Sequence, residues 1–176
     1  LAKQAQLQFT DAKAEQLAEI LRMLSAQEKD VKIIIFTEFV MTQSFIKAMA
    51  EMRGFSTALI NGQMSIEERN VALRQFRREK NILISTDAGG EGINMQFARI
   101  VINYDLPWNP MKIEQRIGRA DRIGQKSDVE VFNFILDDTI ENRVRTVLEE
   151  KLAMILLELG FDKLQDVLNS DSADLD

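Results

Sequence analysis

The run Ile33-Ile34-Ile35-Phe36 indicates how this 176-residue chain folds. Consecutive apolar residues without polar alternation are typical of a strand that is buried on both faces. Runs of strand type lie at Val31–Thr37, Phe55–Ile60, Asn81–Thr86, Arg99–Tyr104 and Val129–Leu136. Segments of helical period separate these runs, so the sequence predicts an α/β protein with a parallel, doubly wound sheet.

Helices are expected before and after the first strand. The leading helix should span roughly Thr10–Gln27, with Thr10 or Asp11 as its N-cap, because apolar side chains recur there at i, i+3, i+4 and i+7. The helix after the first strand carries a second apolar stripe of Phe45, Met49 and Met52. A trailing helix should begin near Asp138.

Two further helices carry explicit start signals. Ser65 followed by Glu68 is a capping-box pattern, and Leu73 and Phe76 should face inward on the helix that it opens. Asn109-Pro110 places an N-cap residue directly before a proline at the first helical position. The spacing of strands and helices predicts one domain over residues 1–168, followed by an acidic frayed tail over residues 169–176.

The composition excludes several chemistries. With no cysteine and no histidine, the chain has no thiol nucleophile, no imidazole base and no Cys/His zinc site. Neither a membrane-length apolar run nor a leader pattern occurs, so we expect a cytoplasmic or nucleoid-associated protein, or a nuclear one in a eukaryote.

Charge is distributed unevenly. The formal net charge is −6, yet the segment from Arg69 to Lys126 holds 11 basic and six acidic residues. A basic segment in an acidic chain can hold phosphates locally, although a solvated basic helix face explains the same charges.

A glycine-rich segment follows the third predicted strand. Ser85–Asn94 contains three glycines within four residues, which allows a tight turn and a close approach to another group. The segment is neither the dinucleotide fingerprint nor a phosphate-binding P-loop, since the chain contains no G-K-[ST]. A turn needed only for packing is the alternative.

An arginine-rich segment, Gln115–Gln125, follows the fourth predicted strand. On a helix that starts near Pro110, Gln115, Arg119 and Arg122 would share one face. Gly118 inside that helix would be unfavourable, so we expect a close approach there. Guanidinium groups beside a glycine loop favour polyphosphate recognition over a surface helix neutralised by neighbouring acids.

These segments together resemble the second, C-terminal RecA-like lobe of superfamily 2 helicase-like ATPases, in particular the Swi/Snf-type DNA translocases. The matching segments are Ile33–Val40 (motif IV), Gly62–Arg69, Ser85–Gln96 (motif V), Ile102–Pro110 and Gln115–Gln125 (motif VI, Q-R-x-G-R-x-x-R-x-G-Q). They keep the family order from about Val31 to Arg143. The resemblance implies a RecA-like parallel sheet with helices on both faces, a three-layer α/β/α architecture.

The resemblance also implies roles for individual residues. The arginine fingers, which stabilise charge as the γ-phosphate of ATP leaves, would be Arg119 and Arg122. Residues at the nucleotide would be Gln115, Gly92 and Asn94. Residues near the nucleic-acid backbone would be Thr37, Thr86 and Gly89. Arg116 would have a structural or ancillary role.

The ATP site of this family is shared between two lobes. ATP with Mg²⁺ would be bound mainly by a first, N-terminal lobe of the same parent chain, which carries the Walker A lysine that is absent here. The expected partners are that lobe and double-stranded DNA, with no membrane, and this lobe alone should not hydrolyse ATP.

Two alternatives to a translocase lobe stay open. The first is a non-catalytic nucleotide- or nucleic-acid-binding module with the same fold, which the intact Gln115, Arg119 and Arg122 disfavour. The second is the lobe of a helicase that separates RNA or DNA strands, which the Leu106–Pro110 stretch disfavours by its resemblance to the Swi/Snf branch. Trp108 is expected to act as a loop-anchored lid on the core rather than to stack on bases.

Overall fold

A single parallel sheet forms the centre of the molecule. The computed structural model describes residues 2–28, 30–90, 92–121 and 128–135, with the side chains of the first helix described from residue 12 onward. The strands are β1 (Ile33–Phe36), β2 (Thr57–Ile60), β3 (Ile82–Ser85), β4 (Ile100–Asn103) and β5 (Glu130–Asn133). They pair in the order β2-β3-β1-β4-β5, and each lies within one of the predicted runs. The predicted strands are therefore confirmed.

The strand register aligns the carboxyl ends of the strands at one edge. Phe36, the last residue of β1, lies opposite Ser85 on β3 and Asn103 on β4. Ile60 on β2 lies opposite the same Ser85. Ligands of open parallel α/β sheets bind beyond this edge, so the segments that leave it are the first place to look for a site.

Helices connect the strands. They are α1 (Ala2–Gln27), α2 (Val40–Met52), α3 (Ile66–Arg78), α4 (Asp87–Gly90) and α5 (Pro110–Ile117). The start expected for α1 is wrong, because Thr10 and Asp11 lie inside the helix rather than at its N-cap. The preceding residues are mostly alanine, glutamine, lysine and leucine, which favour helix and extend it back to Ala2.

Two predicted helix starts are confirmed at the level of individual hydrogen bonds. The Glu68 N–H donates to Ser65 Oγ at 3.2 Å, and the Ser65 N–H donates back to Glu68 Oε2 at 2.8 Å. The hydrogen bond from the Ser65 N–H lowers the pKa of the Glu68 carboxyl, because it stabilises the charged form. At α5, the Met111 N–H donates to Asn109 Oδ1 at 3.0 Å, and Pro110 occupies the first turn.

Each face of the sheet is covered by its own apolar core. On one face α1 and α2 pack against β-strand residues such as Ile35 and Ile84. On the other face α3 packs through Phe76 against Ile34 and Leu83. The fold class predicted from the sequence, a three-layer α/β/α arrangement around a RecA-like parallel sheet, is confirmed.

The buried face of α2 differs from the expected stripe. Met49 is buried, but Phe45 is partly exposed at 38% and Met52 is exposed at 80%. The fully buried Gln43 takes a place on the inward face instead. Its Nε2 donates to the carbonyls of Ile60 and Ile84 at 2.9 and 2.8 Å, so strand-end carbonyls select a polar residue there.

The lid expected of Trp108 is also wrong, because 63% of this residue is exposed. In the stretch between β4 and α5, Tyr104 and Leu106 are the buried large side chains instead, and Tyr104 packs into the core. None of the described helices is long and apolar enough to span a membrane. The predictions of a trailing helix from Asp138 and of an acidic tail over 169–176 lie outside the described residues.

Candidate functional site

Three connections leave the carboxyl edge of the sheet and face one another. Thr86 and α4 follow β3, Asp105 and the turn to α5 follow β4, and Thr37 follows β1. The backbone joins them to the edge, since the Thr37 N–H donates to the Ser85 carbonyl at 3.1 Å and the Tyr104 N–H to the Phe36 carbonyl at 2.9 Å. Motifs that are far apart in the chain therefore meet at this edge.

An open depression of about 270 Å³ lies between α4 and α5, and we call it the carboxyl-end depression. The residues that line it are Phe36, Asp87, Ala88, Gly90, Lys112, Gln115, Arg116 and Arg119. The structure thus brings together Gln115 and Arg119, two of the predicted site residues, with the glycine-rich turn. Their juxtaposition follows from the parallel sheet, which places β3 and β4 on either side of β1.

The backbone of Arg119 is hydrogen-bonded, whereas its side chain has no hydrogen-bond or ion-pair partner among the described residues. Its carbonyl accepts a hydrogen bond from the Met95 N–H at 2.9 Å, and the next residue, Ala120, is fully buried. Within the part of the chain that the structure describes, no hydrogen bond or ion pair engages the Arg119 guanidinium. A fixed backbone with a free guanidinium is suited to bind an anion that enters the depression.

The helix expected to carry Gln115, Arg119 and Arg122 on one face ends early. Helix α5 stops at Ile117, and Gly118 is its C-cap, so Arg119 lies in the turn beyond the helix. Among the described residues, a Cβ at Gly118 would meet only the Glu114 carbonyl at 3.3 Å and the Gln115 carbonyl at 3.7 Å, so no other described segment makes the close approach expected there. Glycine is an unfavourable residue in a helix interior, in keeping with the end of α5 at this position. Arg122 lies outside the described residues.

Arg116 lines the depression but is almost wholly buried, with 3% of its side chain exposed. Its Nε and Nη2 donate to the two carboxylate oxygens of Asp87 at 2.6 and 3.0 Å. Its Nη1 donates to Asn103 Oδ1 at 3.1 Å and to the Asp105 carbonyl at 2.8 Å. The resemblance implies a structural or ancillary role for Arg116, and this burial and bonding are compatible with it.

The partners of Arg116 were not predicted from the sequence. Asp87 follows β3 directly, Asn103 ends β4, and Asp105 comes two residues later. Polar residues at the carboxyl ends of parallel strands were a usable signal, because such ends meet at one edge of the sheet. Lys112 also approaches Asp87, with its Nζ 3.8 Å from Oδ2.

The predicted nucleic-acid residues lie at the same edge but are mostly covered. Thr37 is fully buried, and its hydroxyl donates to the Asp105 carboxylate. Thr86 is 5% exposed, and its hydroxyl accepts a hydrogen bond from the Gly89 N–H at 3.3 Å. Gly89 is buried against the backbone of Asn61. These three predicted residues are therefore largely covered by the protein itself.

A second depression of about 460 Å³ has Thr86 in its lining, and we call it the threonine depression. It is lined by Glu38, Val40, Gly62, Gln63, Thr86, Asp87, Ala88 and Lys112. Lys112 and Asp87 therefore lie on the wall between the two depressions. Lys112 is the basic side chain that both share.

Gly92 and Asn94 are not brought to the carboxyl-end depression. Gly92 is exposed with φ of 72°, a left-handed backbone conformation that favours glycine. Asn94 lines a separate depression of about 320 Å³ with Arg74, Arg77 and Phe97 among its other lining residues. Their predicted role at the nucleotide stays a prediction.

The donor set fits a nucleotide phosphate better than it fits a metal ion. The carboxyl-end depression offers the Arg119 guanidinium, the Gln115 amide and the Lys112 ammonium. Among the described residues, no group of three or more acidic, histidine or cysteine side chains is placed to hold a metal ion. We therefore assign Mg²⁺ to none of the described residues.

Comparison with protein families identifies the chain. The model of the helicase conserved C-terminal domain matches residues 12–124, which is more than half of the sequence. The chain belongs to this family. The helicase C-terminal domain is 38% identical over 158 residues to the ATP-dependent helicase YqhH of Bacillus subtilis, a match that covers 90% of this chain and 27% of that protein.

A curated chromatin regulator and a solved structure are also similar to this chain and support the same family. The helicase C-terminal domain is 34% identical to the human SWI/SNF-related regulator of chromatin subfamily A member 1, over 76% of this chain and 13% of that protein. The crystal structure of the C-terminal part of the Fun30 ATPase domain superposes with a TM-score of 0.72 at 27% identity, covering 77% of this chain and 45% of that one. The resemblance to the C-terminal lobe of Swi/Snf-type ATPases is therefore confirmed. The chain spans about a quarter or less of the length of these two curated relatives.

Proposed function

We propose that this helicase C-terminal domain is the second motor lobe of an ATP-driven translocase of double-stranded DNA. The observation that carries the proposal is the meeting of Gln115 and Arg119 in the carboxyl-end depression, where the guanidinium of Arg119 is unengaged among the described residues. The names of the relatives, which include ATP-dependent helicases and a SWI/SNF-related regulator of chromatin, support the same proposal.

In this proposal, the nucleotide lies between this lobe and an N-terminal lobe of the same parent chain. ATP with Mg²⁺ is bound mainly by that N-terminal lobe, and Arg119 and Arg122 approach its γ-phosphate as arginine fingers. A guanidinium that contacts the departing phosphoryl oxygens stabilises charge that develops only in the transition state. Gln115 would bind beside Arg119, and Gly92 and Asn94 would contact the nucleotide from the neighbouring loop.

The DNA backbone is proposed to lie at the threonine depression. Lys112 supplies positive charge on its wall, and Gly62 and Gln63 supply an open rim. Thr37 and Gly89 are buried and would act on the DNA backbone only through their neighbours. Thr86 lines the depression itself, and contacts of this kind position a nucleic acid without reading its bases.

Comparing nucleic acids as activators tests the proposed function. In the two-lobed protein that contains this chain, ATP turnover should be stimulated by double-stranded DNA more than by single-stranded DNA or RNA. ATP hydrolysis should also displace a third strand from a DNA triplex without separating the duplex. Preferential stimulation by RNA, or separation of the duplex, would instead support a strand-separating helicase. Nucleotide and nucleic-acid binding without turnover would support a non-catalytic module.

Salt dependence tests the phosphate contact at Lys112. Binding of the isolated chain to double-stranded DNA should weaken as salt rises, because each phosphate contact releases about 0.9 counterion. Lys112→Ala should weaken binding for all sequences alike and reduce the slope of log K against log salt by about 1. Fluorescence anisotropy of a labelled duplex between low and physiological salt measures both.

Lys47→Ala is the matched control. Lys47 lies on α2 and pairs with Glu51 at 2.5 Å, outside both depressions. Its removal should leave the slope unchanged. Binding that does not respond to salt, or equal slopes for Lys112→Ala and the unchanged chain, would contradict the placement of DNA at the threonine depression.

A further inference from the structure

Arg116 connects α5 to α4 and to the stretch of chain at the end of β4. Its guanidinium donates to Asp87 on α4, to Asn103 at the end of β4 and to the carbonyl of Asp105 in the following turn. Four donor–acceptor bonds to one guanidinium use nearly all of its five N–H groups. These bonds fix the position of the Arg116 guanidinium in the structure.

The partners of Arg116 are themselves held. Asn103 Nδ2 donates to Asn133 Oδ1 on β5 at 2.8 Å, so its carbonyl oxygen is turned toward Arg116. The Asp105 carboxylate accepts the Thr37 hydroxyl and lies 3.7 Å from Lys13 Nζ on α1. The arginine therefore docks into a polar cluster anchored on strands and on α1.

Gln115 and Arg119 line the carboxyl-end depression and are predicted to contact ATP, and both lie close to Arg116 in the sequence. Gln115 precedes it, and Arg119 follows it by three residues, just past the end of α5. Helix α5 has only 8 residues, and so short a helix depends on tertiary contacts for its stability. What fixes Arg116 therefore fixes the direction in which Gln115 and Arg119 enter the depression.

We propose that Arg116 is a positioning residue: through its paired bonds to Asp87 it holds α5 against α4 and thereby sets the place of Arg119 in the carboxyl-end depression. The inference rests on the proposed role of Arg119 toward ATP. Arg116 itself is almost wholly buried and contacts no reacting atom in this scheme. Its contribution is geometric, and a displacement of about 1 Å at a reacting centre can reduce a rate about 10²-fold.

Two conservative substitutions in the two-lobed protein test the proposal. Asp87→Asn removes one charge of the pair, and Arg116→Lys keeps the charge but loses the planar fork. Each should lower kcat for ATP about 10²-fold with little change in KM, because the misplaced group acts in the transition state. A change confined to KM, or an unchanged kcat, would overturn the positioning role.

A double-variant cycle separates positioning from a purely structural role. If Arg116 acts through Arg119, adding Asp87→Asn to Arg119→Ala should change kcat less than about twofold. Independent effects that multiply would overturn the proposal. Because a single buried charge left without its partner can unfold a domain, Asp87→Asn combined with Arg116→Gln is included as a neutral pair. That pair should keep the melting temperature close to the unchanged protein and still lose kcat.

Arg99→Lys is the matched control at the opposite edge of the sheet. Arg99 pairs with Glu28 at 3.1 Å and with Glu130 at 3.7 Å, so the substitution also replaces a paired guanidinium. It lies before β4 rather than after it and should leave kcat unchanged. A loss of kcat equal to that of Arg116→Lys would show a general effect of stability and overturn the positioning role.

Hydrogen exchange on the 176-residue chain tests the positioning without any activity. In Arg116→Lys, the amides of Gly90 on α4 and Gly118 at the end of α5 should exchange faster, while the amide of Ile35 on β1 keeps its protection. Unchanged exchange at Gly90 and Gly118 would overturn the inference.

If the unchanged two-lobed protein has no stimulated ATP turnover, the proposed function fails, and this exchange experiment alone decides whether Arg116 holds α5.

Discussion

Replacing Arg119 with alanine in the two-lobed protein should lower kcat for ATP by about 10³-fold or more while KM for ATP changes little. Arginine fingers elsewhere contribute about 10³–10⁵-fold, and that contribution is made in the transition state. Here the Arg119 backbone is held by the Met95 N–H at 2.9 Å, and its guanidinium is one of the cations that line the carboxyl-end depression. Steady-state ATP turnover at saturating double-stranded DNA measures the effect.

The chemistry of the substitution and a control make this result specific. Arg119→Lys should restore little activity, since an ammonium cannot form the paired bonds of a guanidinium. Arg122→Ala should behave like Arg119→Ala if the resemblance assigns both fingers correctly. Arg78→Ala removes an exposed cation from the end of α3 and should leave kcat unchanged. Wild-type turnover by Arg119→Ala with an unchanged melting temperature would rule out the finger.

Gly89→Ala should destabilise the isolated chain by about 3 kcal/mol, the cost of forcing atoms into a packed region. A Cβ at Gly89 would lie 2.4 Å from the Asn61 Cα and 2.6 Å from the Asn61 nitrogen. Both are backbone atoms that cannot rotate away, so α4 and the turn after β2 must separate. Thermal unfolding should shift downward by roughly 6–12 °C in a domain of this size.

Gly118→Ala serves as the matched control for Gly89→Ala. Gly118 has φ of −60° in the right-handed helical region, and a Cβ there comes no closer than 3.3 Å to the Glu114 carbonyl. Alanine should be neutral or stabilise the fold by up to about 1 kcal/mol, because it reduces the entropy of the unfolded chain. Equal melting temperatures for the two alanine variants would contradict the close packing described for Gly89.

Strands and helix starts were predictable because their signals are local. An unbroken apolar run such as Ile33–Phe36 requires burial on both faces, and the Ser65 capping box forms within four residues. The boundaries of α1 and α5 and the inward face of α2 were not predictable in this way. Gln43 faces inward because carbonyls of two separate strands meet there, which no local pattern shows.

The site was predictable to the extent that topology decides it. Placing Gln115 and Arg119 near the glycine-rich turn requires only that β3 and β4 flank β1 in a parallel sheet, so that both connections leave the same edge, and the structure has them together. The burial of Thr37 and the bonds of Arg116 depend on partners up to 68 residues away, such as Asp105 for Thr37. The separation of Asn94 from the carboxyl-end depression likewise depends on how its loop packs beside α3.

ATP turnover by the 176-residue chain, alone and joined to an N-terminal lobe with a Walker A lysine, tests the central claim most directly. If this chain supplies one half of a shared ATP site, it should hydrolyse no ATP above background alone, with or without double-stranded DNA. The two-lobed protein should show turnover that DNA stimulates. DNA-stimulated turnover by the chain alone, in preparations free of other ATPases, would contradict the account.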